Sequence, residues 1–137
     1  MSIPAAVAAA IRYPYRRIVA VVGDGGALMS GYELATAVAA GIKNLCIVIS
    51  NNNAYGTIRM HQARSFPGRL TSTELINPDF AAWGEAFGAK GFKIETEADV
   101  EDTVAAAMAH DGPCVIETRV SLNHISPAAR IDEIEAR

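Results

Sequence analysis

Two short apolar runs with a helical stretch between them dominate the hydrophobic pattern of this chain. Residues 18–22 and 45–49 are continuous, rich in β-branched side chains and too short for an amphipathic helix, as is typical of strands buried on both faces. Residues 27–40 are rich in helix formers and set five apolar positions roughly on one face: Leu28, Tyr32, Ala35, Val38 and Ala39. The pattern therefore predicts a right-handed βαβ unit with parallel strands.

The rest of the chain alternates between helical and strand patterns in the same way. Helices are predicted over 3–11, after an N-cap at Asn77, and over 97–110 with Thr96 as the cap. Strands are predicted over 91–94 and 114–120. The pattern also predicts a short helix or loop over 57–68 and a weakly helical tail over 124–137. Strands that alternate with helices are typical of α/β domains. We expect three layers, in which a mostly parallel, flavodoxin-like sheet carries helices on both faces.

Each of the two predicted central strands ends in a polar or glycine-rich stop. Residues 23–26 read Gly-Asp-Gly-Gly and follow the first strand, while residues 50–56 read Ser-Asn-Asn-Asn-Ala-Tyr-Gly and follow the second. Because the strands of a βαβ unit are parallel, both stops are predicted to lie at the same edge of the sheet. In open α/β sheets this carboxyl edge is where ligands bind.

The residue types at these two stops favour a diphosphate held by magnesium. Asp24 offers a hard anionic oxygen, and an asparagine from the neighbouring strand offers a neutral amide oxygen. Gly25 and Gly26 leave room for phosphate oxygens to reach backbone amides at the start of the following helix, where the helix dipole also favours them. Backbone carbonyls, water and phosphate oxygens can complete the magnesium shell.

Other interpretations of the glycine-rich stop account for less of the sequence. A lone Gly-Asp-Gly after a strand is commonly only a turn. A dinucleotide site would need a third glycine where Leu28 stands, and an acidic residue near the end of the second strand that the sequence lacks. A different magnesium–phosphate enzyme would need a nucleophile or base beside Asp24, and the neighbouring residues provide none.

Composition narrows the class of protein. A chain of 137 residues is expected to form one domain, 1–137. A formal net charge of -3 gives no indication of binding to nucleic acid or to an anionic membrane, and no apolar stretch approaches the roughly 20 residues that span a bilayer. Cys46 and Cys114 each lie in an apolar strand pattern and are expected to be free, buried thiols. We therefore predict a cytoplasmic location.

The two stops together resemble the signature of a known enzyme family. Gly23, Asp24 and Gly25, followed about one βαβ unit later by Asn51 and Asn52, resemble the motif of thiamine-diphosphate-dependent enzymes. The similarity is closest to the acetolactate synthase, benzoylformate decarboxylase and 2-oxoacid decarboxylase group. Residues 33–37 (Glu-Leu-Ala-Thr-Ala) and 53–59 (Asn-Ala-Tyr-Gly-Thr-Ile-Arg) resemble the same group. The resemblance covers nearly the whole chain and corresponds to the C-terminal, diphosphate-binding domain of a longer enzyme.

The resemblance implies a set of residues around thiamine diphosphate and magnesium. It implies Asp24, Asn52 and the backbone carbonyl of Ala54 as metal ligands. The loop around Lys43 and Asn44 is one residue longer than the family pattern, so Asn51 remains an alternative to Asn52. The residues implied to contact the cofactor are Gly23, Asp24, Gly25, Gly26, Asn52, Ala54, Tyr55 and Gly56.

The same resemblance implies parts of the enzyme that the sequence does not contain. In the family, the glutamate that activates the cofactor belongs to a separate pyrimidine-binding domain, which usually reaches the site from a neighbouring subunit. Glu33 matches a different family position, so no catalytic residue is assigned in this chain. The family also has a strand before the helix predicted over 3–11. We therefore expect an N-terminally truncated domain without its first strand.

The implied function is participation in the decarboxylation or condensation of a 2-oxoacid. We expect the chain to be inactive alone, and to work as a homo-oligomer or in a complex that brings the pyrimidine-binding domain. Arg59 and His61 lie in the polar segment 57–68, which is predicted to cover the site, but the sequence assigns neither a role. The alternative is a non-catalytic ligand-binding or assembly module on the same fold.

Overall fold

The computed structural model describes residues 2–126 and 129–135. Its strands are, in chain order, β1 (Ile18–Gly23), β2 (Leu45–Asn51), β3 (Lys90–Ile94), β4 (Cys114–Arg119), β5 (His124–Ser126) and β6 (Ala129–Arg130). Its α-helices are α1 (Ser2–Arg12), α2 (Asp24–Ser30), α3 (Glu33–Ala39), α4 (Gly56–Ser65), α5 (Phe80–Ala86), α6 (Val100–Ala109) and α7 (Ile131–Glu135), with a 3₁₀ turn at Glu97–Asp99 before α6. The prediction of a helical tail is wrong for residues 124–126 and 129–130, which form the antiparallel pair β5 and β6, and correct for α7. Residues 127, 128, 136 and 137 of this tail lie outside the described residues.

The main sheet has four parallel strands in the order β1-β2-β4-β3. Gly23 at the end of β1 pairs in register with Ser50, and Asn51 at the end of β2 pairs with Arg119 at the end of β4. The carboxyl ends of these three strands therefore lie at one edge of the sheet. The predicted βαβ arrangement and its shared polar edge are confirmed.

Helices cover both faces of the sheet, which confirms the predicted three-layer α/β fold. On one face, α1, α2, α3 and α5 bury an apolar cluster against β1, β2 and β4 that includes Leu34, Ile47 and Phe80. On the other face, α6 packs against β3 and β4 around a smaller cluster that includes Cys46 and Cys114. Both cysteines are free and fully buried, as predicted, and the Cys114 hydrogen bond together with burial raises the pKa of the Cys46 thiol.

The structure corrects three details of the predicted βαβ unit. Strand β1 is buried on one face only, because α6 lies over β3 and β4 and leaves Val19 and Val21 49% and 69% exposed. The predicted single helix over 27–40 is two helices, α2 and α3, separated near Gly31. A Cβ on Gly31 would lie 2.7 Å from the Trp83 ring, so the backbone approaches that ring closely at the break. Of the five positions predicted on the apolar face, Leu28 and Val38 pack against the core, but Tyr32, Ala35 and Ala39 are exposed.

The start of α5 also differs from the sequence prediction. Asp79, not Asn77, is its N-cap, and the Asp79 Oδ1 atom accepts a hydrogen bond from the Ala82 backbone N–H at 3.0 Å. Aspartate is as good an N-cap as asparagine, so the sequence alone did not separate the two. The Asn77 side chain is thereby free to point toward the ends of β1 and β2, where it contacts Asp24.

Within the described residues, no helix is both long and apolar enough to cross a membrane.

Candidate functional site

A cavity of about 380 Å³ lies at the carboxyl edge of the sheet, between the ends of β1 and β2 and the start of α4. All eight residues implied to contact the cofactor line this cavity: Gly23, Asp24, Gly25, Gly26, Asn52, Ala54, Tyr55 and Gly56. It is also lined by five residues that the sequence did not single out as contacts: Ser50, Thr57, Ile58, Val120 and His124. Val120 and His124 reach the cavity because β4 ends at the same edge as β1 and β2.

Asp24 is a buried carboxylate that is surrounded by neutral donors. Its Oδ1 atom accepts a hydrogen bond from the Gly25 N–H at 2.9 Å. Its Oδ2 atom accepts one from Asn77 Nδ2 at 2.7 Å and one from the Ala54 N–H at 3.2 Å. Asp24 is only 3% exposed, and among the residues the structure describes no basic side chain forms an ion pair with it. A buried anion without a cationic partner is unfavourable, so a cation bound here would stabilise the site.

The two asparagines left as alternatives by the sequence have different surroundings. Asn51 is turned into the protein, where it is 1% exposed, and its Nδ2 atom donates to Glu117 Oε1 at 2.7 Å. Asn52 lines the cavity, and its Oδ1 atom accepts a hydrogen bond from the Ala54 N–H at 3.0 Å. Asn52 is therefore the asparagine of this pair that a ligand in the cavity can reach.

Two glycines permit close approaches at the cavity. A Cβ on Gly25 would lie 2.6 Å from two carbons of the Tyr55 ring, and a Cβ on Gly56 would lie 2.8 Å from Asn52 Nδ2. Any larger residue would displace the aromatic ring or the amide. The Gly25 N–H is already used by Asp24, which differs from the expectation that this amide is open to a phosphate. Gly23 is exposed and has open space around its missing side chain.

Two side chains behind the cavity were not predicted as part of a site. Asn77 donates from Nδ2 to both Asp24 and Asn51, and its Oδ1 atom is buried without a hydrogen-bond partner among the described residues. Glu117 lies in the buried strand β4 and is 3% exposed. Glu117 could have been identified from the sequence, because it is an acidic residue directly after the apolar residues Cys-Val-Ile. Asn77 could not, because its position before a predicted helix is explained equally well by a role as N-cap.

The predicted covering segment forms α4, but neither of its candidate residues lines the cavity. Arg59 Nη1 donates to Thr73 Oγ1 at 3.2 Å and lies 3.7 Å from Glu74 Oε1, so this guanidinium joins α4 to the following connector. His61 is exposed. Both residues remain without an assigned role in the site.

The ligand set that the cavity offers fits magnesium better than a softer metal. Within the described residues, no three histidine, cysteine or acidic side chains cluster as a metal site. Asp24 is instead accompanied at the cavity wall by Asn52 and Ala54, which carry a neutral side-chain amide oxygen and a neutral backbone carbonyl oxygen. One carboxylate with neutral oxygen donors, completed by phosphate and water, is the arrangement that Mg²⁺ usually takes in phosphate sites.

Residues 1–118 match the sequence profile of the family described as "Thiamine pyrophosphate enzyme, C-terminal TPP binding domain". The chain belongs to this family. The match includes both polar stops and the two strands, β1 and β2, that they follow. The thiamine-diphosphate enzyme resemblance inferred from the sequence is therefore confirmed, and with it thiamine diphosphate as the cofactor that the family implies.

Individual relatives of this thiamine-pyrophosphate domain are acetolactate synthases. The catabolic acetolactate synthase of Raoultella terrigena is 38% identical over 116 residues, covering 85% of this chain and 20% of the relative. The acetolactate synthase large subunit of Parasynechococcus marenigrum is 34% identical over 85% of this chain and 19% of its own length. The mitochondrial acetolactate synthase catalytic subunit of Saccharomyces cerevisiae is 30% identical over 86% of this chain and 17% of its own length. The chain thus spans about a fifth of these relatives.

Proposed function

We propose that this chain holds the diphosphate of thiamine diphosphate through a magnesium ion, as the cofactor-binding part of an acetolactate-synthase-like enzyme. The observation that carries the proposal is the buried Asp24 carboxylate, which has no ion-pair partner among the described residues and lines a cavity with all the other residues of the predicted site. A magnesium ion would compensate this negative charge and bridge it to the phosphates.

The proposed metal ligands are Asp24, Asn52 and the Ala54 carbonyl. Asp24 Oδ1 accepts one hydrogen bond from the Gly25 N–H, Asn52 Oδ1 accepts one from the Ala54 N–H, and the Ala54 oxygen accepts one from the Gly56 N–H. A carboxylate, amide or carbonyl oxygen has two lone pairs. Each of the three oxygens therefore keeps a lone pair that a cation can use.

In this proposal the chain binds thiamine diphosphate and orients it. Thiamine diphosphate, when bound, supplies the electron sink for decarboxylation or condensation of 2-oxoacids. Asp24 and Asn52 anchor the diphosphate end and transfer no proton. Gly23 and Gly26 leave the cavity wall free of side chains, while the Tyr55 ring packs over Gly25. The activating glutamate is proposed to come from a pyrimidine-binding domain outside this chain, within a homo-oligomer or a hetero-complex.

Isothermal titration calorimetry of the chain with thiamine diphosphate tests the proposal. We expect saturable binding with one cofactor per chain in the presence of MgCl₂, and none with EDTA. Thiamine without its phosphates is the matched control, because it retains the rings but cannot meet the metal, and it is expected not to bind measurably. A folded chain that binds neither form would favour the non-catalytic module instead.

The same preparation is expected to be catalytically silent. With pyruvate, thiamine diphosphate and MgCl₂, the release of carbon dioxide by the pure chain should equal that of the cofactor free in solution, because the activating glutamate is proposed to come from another domain. A rate well above the free cofactor would show that a residue of this chain performs the activation.

A further inference from the structure

Four polar side chains are joined by a continuous series of hydrogen bonds behind the cavity. Asn77 Nδ2 donates to Asp24 Oδ2 at 2.7 Å and to Asn51 Oδ1 at 2.8 Å. Asn51 Nδ2 in turn donates to Glu117 Oε1 at 2.7 Å. The series therefore joins the start of α2, the end of β2, the connector before α5 and strand β4. Three of its members, Asp24, Asn51 and Glu117, are no more than 3% exposed.

The direction of every hydrogen bond in this series is set by its two ends. Asp24 and Glu117 are carboxylates, which only accept hydrogen bonds when ionised. Asn51 must therefore turn its NH₂ group toward Glu117, which leaves its oxygen toward Asn77. Asn77 then faces two oxygens and must present NH₂ to both, since a reversed amide would bring its own oxygen against them. The orientation of Asn77 is thus set directly by Asp24 and, through Asn51, by Glu117, which it does not touch.

Glu117 is itself held at a second point. Its Oε2 atom accepts a hydrogen bond from the backbone N–H of Phe80, the first residue of α5, at 2.8 Å. The two oxygens of Glu117 are thereby committed to two different elements, β2 and α5. An exposed arginine, Arg119, lies 3.4 Å from Oε1 and provides partial charge compensation. These contacts make Glu117 a rigid end point for the series.

The opposite end of the series acts on the carboxylate proposed to bind magnesium. Asp24 Oδ2 accepts hydrogen bonds from both Asn77 and Ala54, so both of its lone pairs are used. Oδ1 accepts only the Gly25 N–H among the described residues. We propose that Asn77 and Glu117 are positioning residues of the metal site, which fix the Asp24 carboxylate so that Oδ1 is the oxygen left for the cation. This inference rests on the function proposed above.

Manganese binding tests the positioning role with a spectroscopic readout that does not need catalysis. Mn²⁺ replaces Mg²⁺ in oxygen sites, and the electron paramagnetic resonance signal of free Mn²⁺ gives its affinity for the full chain in the presence of thiamine diphosphate. Removing residues that orient metal ligands typically weakens metal affinity 10–100-fold. We expect Asn77→Ala to weaken Mn²⁺ binding by roughly 10-fold or more.

The more informative variant is Glu117→Gln, because Glu117 touches neither the metal nor Asp24. Glutamine presents one oxygen and one NH₂ group, so it cannot accept from both Asn51 and Phe80, and at least one of the two hydrogen bonds that hold this end of the series is lost. We expect a similar roughly 10-fold weakening, and the double variant should bind Mn²⁺ about as weakly as either single variant. Ile47→Val is the control: it deletes a buried methyl group of β2, which lowers the melting temperature, but it leaves the series intact.

The outcomes separate this inference from the function on which it rests. If the wild-type chain binds Mn²⁺ and both Asn77→Ala and Glu117→Gln bind it as tightly as Ile47→Val does, the positioning role is wrong and the proposed function stands. If the folded wild-type chain does not bind Mn²⁺ with thiamine diphosphate, the proposed function is wrong and the positioning role falls with it. Weakening in both variants, but not in the control, supports both.

Discussion

Replacing Asp24 by alanine is expected to abolish the stabilisation of this chain by thiamine diphosphate and magnesium. A ligand that binds only the folded state at 100 times its dissociation constant stabilises it by about 2.7 kcal/mol. In a domain of this size that free energy corresponds to a rise of several degrees in the melting temperature. Thermal unfolding with and without MgCl₂ at a fixed thiamine diphosphate concentration would show the rise in the wild type and none in Asp24→Ala. Among the residues that the structure describes, Asp24 is the only acidic one at the cavity wall.

Asp111→Ala is the matched control for that experiment. Asp111 is 79% exposed and pairs with Lys43 at 3.0 Å. The two residues precede β4 and β2, so they lie at the opposite edge of the sheet from the cavity. Exposed ion pairs contribute only about 0–1 kcal/mol, so this variant should lose little stability and keep the full magnesium-dependent rise. A rise that persists in Asp24→Ala would show that the cofactor binds without this carboxylate, and the metal site would have to be placed elsewhere.

Replacing Phe80 by alanine is expected to cause the largest loss of stability. Phe80 is fully buried between α5 and the sheet, and its ring packs edge-on against Trp83 with 6.1 Å between centroids. Truncating a buried phenylalanine removes about 3–5 kcal/mol from the free energy of unfolding, a large part of the 5–15 kcal/mol typical of a domain. Urea unfolding followed by circular dichroism measures this loss directly.

Phe66→Ala is the control that shows whether the loss of stability comes from burial or from removing any phenylalanine ring. Phe66 follows α4 and is 56% exposed, so the same truncation there should change the free energy of unfolding by less than about 1 kcal/mol. If Phe80→Ala destabilised the chain no more than Phe66→Ala does, the core of this face would not be centred where the structure has it.

The sheet and the position of the site followed from local sequence signals. Two β-branched runs of five residues predicted the parallel pair β1 and β2, and the polar residues after each run predicted which edge would carry the ligand site. Backbone pairing alone then brings Asp24 beside the residues that follow β2. These features are local in sequence or set by the handedness of the βαβ unit, so they could be predicted without the structure.

The features that were missed depend on contacts between distant segments. The exposure of Val21 follows from where α6 packs, nearly 80 residues later in the chain. In the sequence, Asn77 was explained by a role as helix N-cap. Its role beside the cavity is visible only from the hydrogen bond of 2.7 Å that it donates to Asp24. The preference for Asn52 over Asn51 required the burial of each side chain, which a repeated asparagine in the sequence does not reveal.

A crystal structure of the chain grown with thiamine diphosphate and MgCl₂ would test the proposed site most directly. We predict electron density for the diphosphate in the cavity between Gly26 and Tyr55, with an octahedral magnesium ion bound to Asp24 Oδ1, Asn52 Oδ1 and the Ala54 carbonyl oxygen. Density for the cofactor at any other surface, or a metal ion bound without Asp24, would contradict the assignment of this edge of the sheet as the diphosphate site.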